Sequence, residues 1–515
     1  MDRPRASGIL VHPTSFPGRF GIGDLGAGAT QMLDFLAAAR QKLWQVLPLG
    51  PTGYGDSPYA SLSAFAGNPL LISPERLLEE NLLAPADLEA TPPFDPNQVD
   101  FGTIVPWKTG LLRTSFARFQ QQVAPRLRED FEAFCTTQRA WLDDFALFMA
   151  LKAAHDGASW VQWGAPYARR DPEALAEASR GLAAEIAFHR YAQFLFVRQW
   201  TAVRQAARER DISIVGDVAI VAAHDSADVW AHPELFHLDD AGNPTVVAGV
   251  PPDYFSPTGQ RWGNPLYRWD VLAATGYAWW IARVRRALEL EDIIRLDHFR
   301  GFLAHWEIPA CSETAVEGHW VSGPGAALFT ALRESLGEVP AIAEDLGVIT
   351  PDVDALRQQL GLPGMRILQF AFDSDAANHD LPHNFERNAV VCTGTHDNDT
   401  TRGWFQTRKG RERSYAQRYL ACEPRQIVSA MIRAALSSVA NTTILPLQDV
   451  LGLGSEARMN YPSRAEGNWA WRCADRELTP ECALRLAELV ELYGRWTPRM
   501  AKPTDSRIRR RGQAE

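Results

Sequence analysis

The sequence predicts an α/β protein: a (β/α)8 TIM barrel with subdomains inserted at its rim and no C-terminal β-sandwich. Three observations lead there. Eight short apolar runs, bounded by Gly, Pro or Asp, are spread along the chain. Helical patterns separate several of them. Three runs stop at a carboxylate, as strands do at the working rim of such a barrel. These are Asp297 in Ile294-Arg-Leu-Asp-His-Phe-Arg300, Glu344 in Ala341-Ile-Ala-Glu-Asp-Leu-Gly347 and Asp397 in Cys392-Thr-Gly-Thr-His-Asp-Asn398.

The eight runs are Gly8-Ile-Leu-Val11, Trp44-Gln-Val-Leu47, Ile212-Ser-Ile-Val215, Ile293-Ile-Arg-Leu296, Ala341-Ile-Ala343, Ile367-Leu-Gln-Phe370, Ala389-Val-Val-Cys392 and Thr443-Ile-Leu445. Helices are expected over 31–41, over 184–210, where Phe188, Tyr191 and Leu195 fall at helical spacing, and over 423–438. The gaps at about 50–210 and 221–290 exceed a single crossover helix, so both are expected to hold inserted subdomains. Pro-rich Thr91-Pro-Pro-Phe-Asp-Pro96 marks a boundary inside the first. The last sixty residues show no alternating strands. Residues 1–500 are thus expected to form one catalytic barrel with insertions. Residues 501–515, with Arg507, Arg509, Arg510 and Arg511, read as a polar basic tail.

The net charge of -10 argues against nucleic acid as a partner and leaves a neutral substrate unaffected. Seventeen Trp is unusually many; most are expected to pack core and surface, and the rest to serve as flat platforms for sugar rings. Six Cys without CxxC spacing fit reduced thiols in the cytoplasm rather than disulfides or zinc. The start, Met1-Asp-Arg-Pro-Arg-Ala-Ser7, lacks the apolar region of a secretory signal. No apolar stretch reaches membrane-spanning length.

Two or three carboxylates meeting at a barrel rim are what glycosidic bond cleavage requires. Arg295 and Asp297 point the same way along a strand, and the guanidinium favours an ionised carboxylate, as a nucleophile must be. The alternative is a structural Arg–Asp pair or a helix cap. Glu344 leaves an apolar strand, where partial desolvation beside another carboxylate gives an acid a raised pKa. It equally suits a helix start. Asp397, with His396 beside it, fits either a carboxylate that grips sugar hydroxyls or an Asx-turn. Asp217, in Val215-Gly-Asp-Val-Ala-Ile220, has the same two readings. Gly21-Ile-Gly-Asp-Leu-Gly26 matches GxGxxG, but Pro17-Gly-Arg-Phe20 precedes it and no acid follows at the required distance, so it reads as a glycine turn. His224, Asp225, His232 and His237 match no metal-ligand spacing and read as loop packing. Residues 249–265, with no strand or helix periodicity, four prolines and the aromatics Tyr254, Phe255 and Trp262, read as a semi-rigid lid.

Together with Asp56-Ser-Pro-Tyr-Ala-Ser-Leu-Ser-Ala-Phe-Ala-Gly-Asn-Pro69 and Arg261-Trp-Gly-Asn-Pro265, these motifs run in one order over residues 8–500. In that order the chain resembles the 4-α-glucanotransferases (amylomaltases, disproportionating enzymes) of glycoside hydrolase family 77. The resemblance implies a barrel without a C-terminal sandwich. It makes Asp297 the nucleophile, Glu344 the acid/base and Asp397 the carboxylate that stabilises the transition state. It assigns substrate binding to Tyr59, Ser57, Asp217, Arg295, His396 and Asn468, and to Asp253, Phe255 and Trp262 of the loop over the acceptor sites. It implies no metal or organic cofactor. The partners it implies are α-1,4-glucans (maltooligosaccharides, starch or glycogen chains), with glucose as acceptor, acted on by a monomer or weak homo-oligomer. The aromatic pair of a second glucan groove in some relatives corresponds to Tyr54 and Phe101, and Phe101 lacks the hydroxyl. The alternatives are an α-amylase-like retaining hydrolase and a catalytically silent glucan-binding protein. The first lacks its sandwich here; the second would require a missing carboxylate.

Overall fold

The apolar runs assemble as parallel strands because each is buried on both faces, by the barrel interior on one side and by helices on the other. The computed structural model describes residues 4–122, 124–252, 256–462, 464 and 466–497. One sheet contains β1 (Ala6–Leu10), β2 (Leu43–Gln45), β3 (Ser213–Val218), β4 (Ile293–Leu296), β5 (Ala341–Ala343), β6 (Gly364–Ile367), β7 (Ala389–Cys392) and β8 (Thr442–Pro446). Strands adjacent in sequence are adjacent in space, and β1 pairs with both β2 and β8. Between β5 and β6 the ring is joined where Ala343 N–H donates to Pro363 O at 2.9 Å. The fold is a (β/α)8 TIM barrel, and among the described residues no strand follows β8.

Three strands, β4, β5 and β7, fall on the residues expected. Strand β6 does not. The expected run 367–370 is mostly a 3-10 turn, Leu368–Phe370, and the strand lies just before it. Leu368 is buried like a strand residue, so apolarity alone misplaced the register.

Helix Ala183–Glu209 is the crossover into β3. It buries Phe196, Trp200, Val203 and Ala207 at three- and four-residue spacing. Its glutamines reach outward: Gln193 Oε1 accepts from Gly67 N–H and Gln199 Oε1 from Ser73 N–H, both at 2.7 Å. Those bonds anchor the loop that carries Tyr59. Helices Phe101–Gln122, Pro125–Thr137 and Arg139–Ala154 lie in the same gap.

A four-stranded antiparallel sheet stands on the rim, in the order Gln260–Pro265, Val246–Val250, Ala304–Pro309, His319–Ser322. Residues 249–265, expected to lack strand character, therefore begin and end in strands. Gly249, the register shift between Val247 and Gly249, and four prolines hide the alternation in the sequence. Asp253 and Phe255 lie outside the described residues, as does the basic tail 501–515. In the glycine turn, Gly21 has φ +76° and a Cβ there would lie 2.5 Å from the Phe94 ring. That close approach explains the motif without any phosphate. The six cysteines are free thiols. Among the described residues, no helix is long and apolar enough to cross a membrane.

Candidate active site

The register of the barrel decides which side chains meet. Leu296 pairs with Ala343, so Asp297 and Glu344 leave the sheet side by side at the C-terminal rim. The ladder runs on past both strands: Glu344 N–H donates to Leu296 O, and Asp297 N–H to Val218 O, each at 3.1 Å. His298, at φ +46°, turns its own N–H onto Glu344 Oε2 at 2.6 Å. The residue that follows Asp297 thus holds the Glu344 carboxyl.

On the other side, Asp217 pairs with Arg295 across β3 and β4. Arg295 Nη1 donates to Asp217 Oδ1 and Oδ2 at 2.8 and 2.7 Å and to Asp297 Oδ1 at 3.0 Å. Burial alone would depress this guanidinium, but Asp217 and then Asp297 outweigh it and hold its pKa well above the ordinary range. This places a permanent cation 3.0 Å from Asp297 Oδ1. Tyr59 O–H donates to Asp217 Oδ2 at 2.8 Å. The Asp217 side chain has 0% exposure, so in this geometry it anchors Arg295 and Tyr59 from beneath the cleft floor. Burial lifts it to about 6, with Arg295 opposing and Asp297 adding.

Glu344 has the opposite character to its neighbour. Burial pushes it up to about 8; Arg295 pulls it down, and Asp297 pushes it further up. At neutral pH it is a protonated acid beside a carboxylate held by a cation, the division of roles that glycosidic cleavage needs. The sign of its effect on stability follows. An unfolded Glu titrates near 4.3, so the folded state alone holds this proton up to about pH 8. The stabilisation is complete below the unfolded value and is lost as pH rises through the folded one. Glu344→Gln should therefore gain melting temperature relative to the native chain by a few degrees between pH 5 and pH 8, measured by scanning calorimetry. A difference independent of pH would contradict the raised value.

Asp397 lies across the cleft with its side chain 49% exposed. Asn460 Nδ2 donates to its Oδ1 at 2.6 Å, Arg458 Nη2 to its backbone oxygen at 2.7 Å. His396 stacks on Tyr59 with ring centroids 5.2 Å apart, and Trp469 packs against both at 5.9 Å. Ser57 Oγ accepts from Tyr59 N–H at 3.2 Å and shapes that turn. Asn468 staples its own loop, accepting from Tyr461 N–H at 2.8 Å and donating to Arg464 O at 2.9 Å. Trp262 is 37% exposed and meets the His298 ring edge to face at 4.9 Å. It stands beside the residue that holds Glu344.

Asn460, Arg458 and His298 join the candidate site without having been expected from the sequence. Nothing marks a single loop Asn, whereas His298 directly follows Asp297 and could have been found. Tyr54 is 81% exposed, but Phe101 is partly buried against Ile22 and Leu70, so the two do not form a matched open platform.

The sequence model of the family described as 4-alpha-glucanotransferase matches residues 11–479. The chain belongs to the 4-alpha-glucanotransferases of glycoside hydrolase family 77. It is 54% identical to the 4-alpha-glucanotransferase of Thermus thermophilus over 95% of this chain and 99% of that one. The corresponding figures for the Synechocystis sp. 4-alpha-glucanotransferase are 52%, 95% and 98%. Among solved structures, amylomaltase from Streptococcus agalactiae in complex with acarbose superposes with a TM-score of 0.93 at 38% identity, over 96% of this chain and all of that one. Transfer of α-1,4-glucan segments is the reaction of this glucanotransferase family.

Proposed function

We propose that this chain performs that transfer by a retaining double displacement on Asp297. The observation that carries the reading is the register that sets Asp297, bonded to Arg295, beside Glu344, whose carboxyl accepts from His298 N–H; burial raises that carboxyl's pKa. Asp297 attacks the anomeric carbon while Glu344 protonates the departing oxygen. The products are a covalent β-glycosyl-enzyme and a free glucan with a new 4-hydroxyl. Glu344, now ionised, takes the proton from the 4-hydroxyl of an incoming glucan or glucose, and the α-linkage reforms with Asp297 leaving. Asp397 grips ring hydroxyls of the distorted donor sugar. Arg295, Tyr59 and His396 line that sugar. The donors are maltooligosaccharides or starch and glycogen chains. The setting is the cytoplasm, and the working form is a monomer or weak homo-oligomer.

The carboxylates do not choose between an acceptor and water. Exclusion of water does, and Trp262 with the hairpin around it is the device. The test is incubation of the purified protein with maltotriose. Glucose plus a ladder of longer products, with total reducing ends constant, is expected. Rising reducing ends without longer products would mean a hydrolase. Trp262→Ala should raise the share of hydrolysis by about tenfold, read from reducing ends against ladder formation in the same assay. An unchanged ratio would remove Trp262 from the mechanism.

A further inference from the structure

A cavity of about 70 Å³ has Tyr59 and Asp217 in its lining together with Glu291, Arg286, Asp228 and Arg283. Glu291 is 4% exposed. It follows helix Ala278–Leu290 and lies against the outer face of β3. Side chains alternate along that strand: Asp217 faces Arg295 within the barrel, so Gly216 faces outward. A Cβ at Gly216 would lie 1.8 Å from Glu291 Cδ and Oε2. Only glycine there lets the carboxyl press against the backbone one residue from Asp217.

Among the described residues, Glu291 Oε2 has no hydrogen-bond partner, and neither has Arg286 Nη2. The other nitrogens of Arg286 are engaged, Nε with Phe65 O at 3.0 Å and Nη1 with Glu289 Oε2 at 2.8 Å. A buried carboxyl oxygen and a buried guanidinium N–H without partners are costly. Both line one cavity with room for several waters.

We propose that Glu291 is a positioning residue for the Asp217–Arg295 pair, acting through β3 and through water held in this chamber between it and Arg286. The inference rests on the reading of Arg295 as a residue that lines the donor sugar, held in place by the buried Asp217. Glu291 acts as a neutral acid: burial, and then the nearby Asp217, hold its pKa well above the ordinary range, against Arg204 and Arg286 and with Asp292 adding to the rise. Asp217 in turn faces Arg295, Asp297, His396 and Tyr59. It bonds two groups of the cleft at once, so a small shift of β3 at Gly216 displaces Arg295 and Tyr59, the two groups read as lining the donor sugar. Misplacement on the scale of 1 Å costs about 10²-fold in such sites.

Glu291→Met keeps the volume and removes the carboxyl but leaves the buried Arg286 Nη2 without its counterpart, so its melting temperature is read beside the kinetics. It should raise KM for the donor about three- to tenfold with a smaller change in kcat. It should also move the acid limb of the kcat/KM profile upward by about half a pH unit, because Asp217 loses part of its hold on Arg295. Glu291→Gln, neutral and the same shape, should restore both. A crystal structure of the native chain should show ordered water between Glu291 and Arg286. Native KM and pH profile in Glu291→Met would mean that Glu291 only fills space, and a dry chamber would remove the water link. If Glu291→Gln behaved as Glu291→Met does, the neutral-acid role would be wrong. Asp217→Asn separates the two readings. Its loss of about 10²-fold or more alongside a native-like Glu291→Met sinks the inference alone, and its full activity sinks the donor-site reading beneath it.

Discussion

Asp297→Asn should leave a folded barrel with transfer activity reduced on the order of 10⁴-fold or more, the scale seen when a nucleophile is removed. At 1.36 kcal/mol per tenfold, that is at least about 5.5 kcal/mol of transition-state stabilisation. The fold survives because Arg295 keeps two bonds to the buried Asp217 and does not become an unpaired interior cation. The amide cannot form the ester intermediate, and it gives Arg295 no negative partner at the 3.0 Å contact. Circular dichroism and melting temperature should stay near those of the native chain while the maltotriose ladder disappears. Activity within tenfold of native would place the nucleophile elsewhere, with Asp397, the more exposed carboxylate, as the next to test.

The second large effect concerns Glu344. Removing a general acid costs 10² to 10⁴-fold, but only where the leaving group needs a proton. Glu344→Ala should lose that much on maltooligosaccharides, whose 4-oxygen leaves poorly as an alkoxide. On α-maltosyl fluoride, whose fluoride leaves unaided, formation of the glycosyl-enzyme should stay fast. The following transfer should then stall for want of a base. Azide, a nucleophile with no proton to lose, should restore turnover and give an α-glycosyl azide. In the native chain, activity should fall as pH rises through about 8, because Glu344 loses its proton there. A variant equally impaired on fluoride and on maltotriose would show that Glu344 positions rather than protonates.

The barrel was legible because its chemistry sits at strand ends. Parallel strands covered on both faces read as unbroken apolar runs, and a carboxylate that ends such a run stands out, as Asp297 and Glu344 do. The register that sets them side by side, Leu296 against Ala343, was not written in either run. It comes from closing the ring. Likewise Arg295 could be paired with Asp297 two residues away, but its stronger hold on Asp217, 78 residues earlier, is a tertiary fact. The rim sheet stayed hidden because Gly249 and the prolines at 251, 252, 257 and 265 break the alternation that marks a strand. Glu291 carried no signal at all: an acid after a helix reads as a solvated end, and only packing against Gly216 buries it.

The most direct measurement is to trap the intermediate. Glu344→Ala is mixed with α-maltosyl fluoride, quenched within milliseconds to seconds, digested and analysed by mass spectrometry. The expected result is a maltosyl adduct on the peptide that spans 293–300, fragmenting to Asp297. An adduct on Asp397 or Asp217, or fluoride release with no adduct on any peptide, would contradict a double displacement through Asp297.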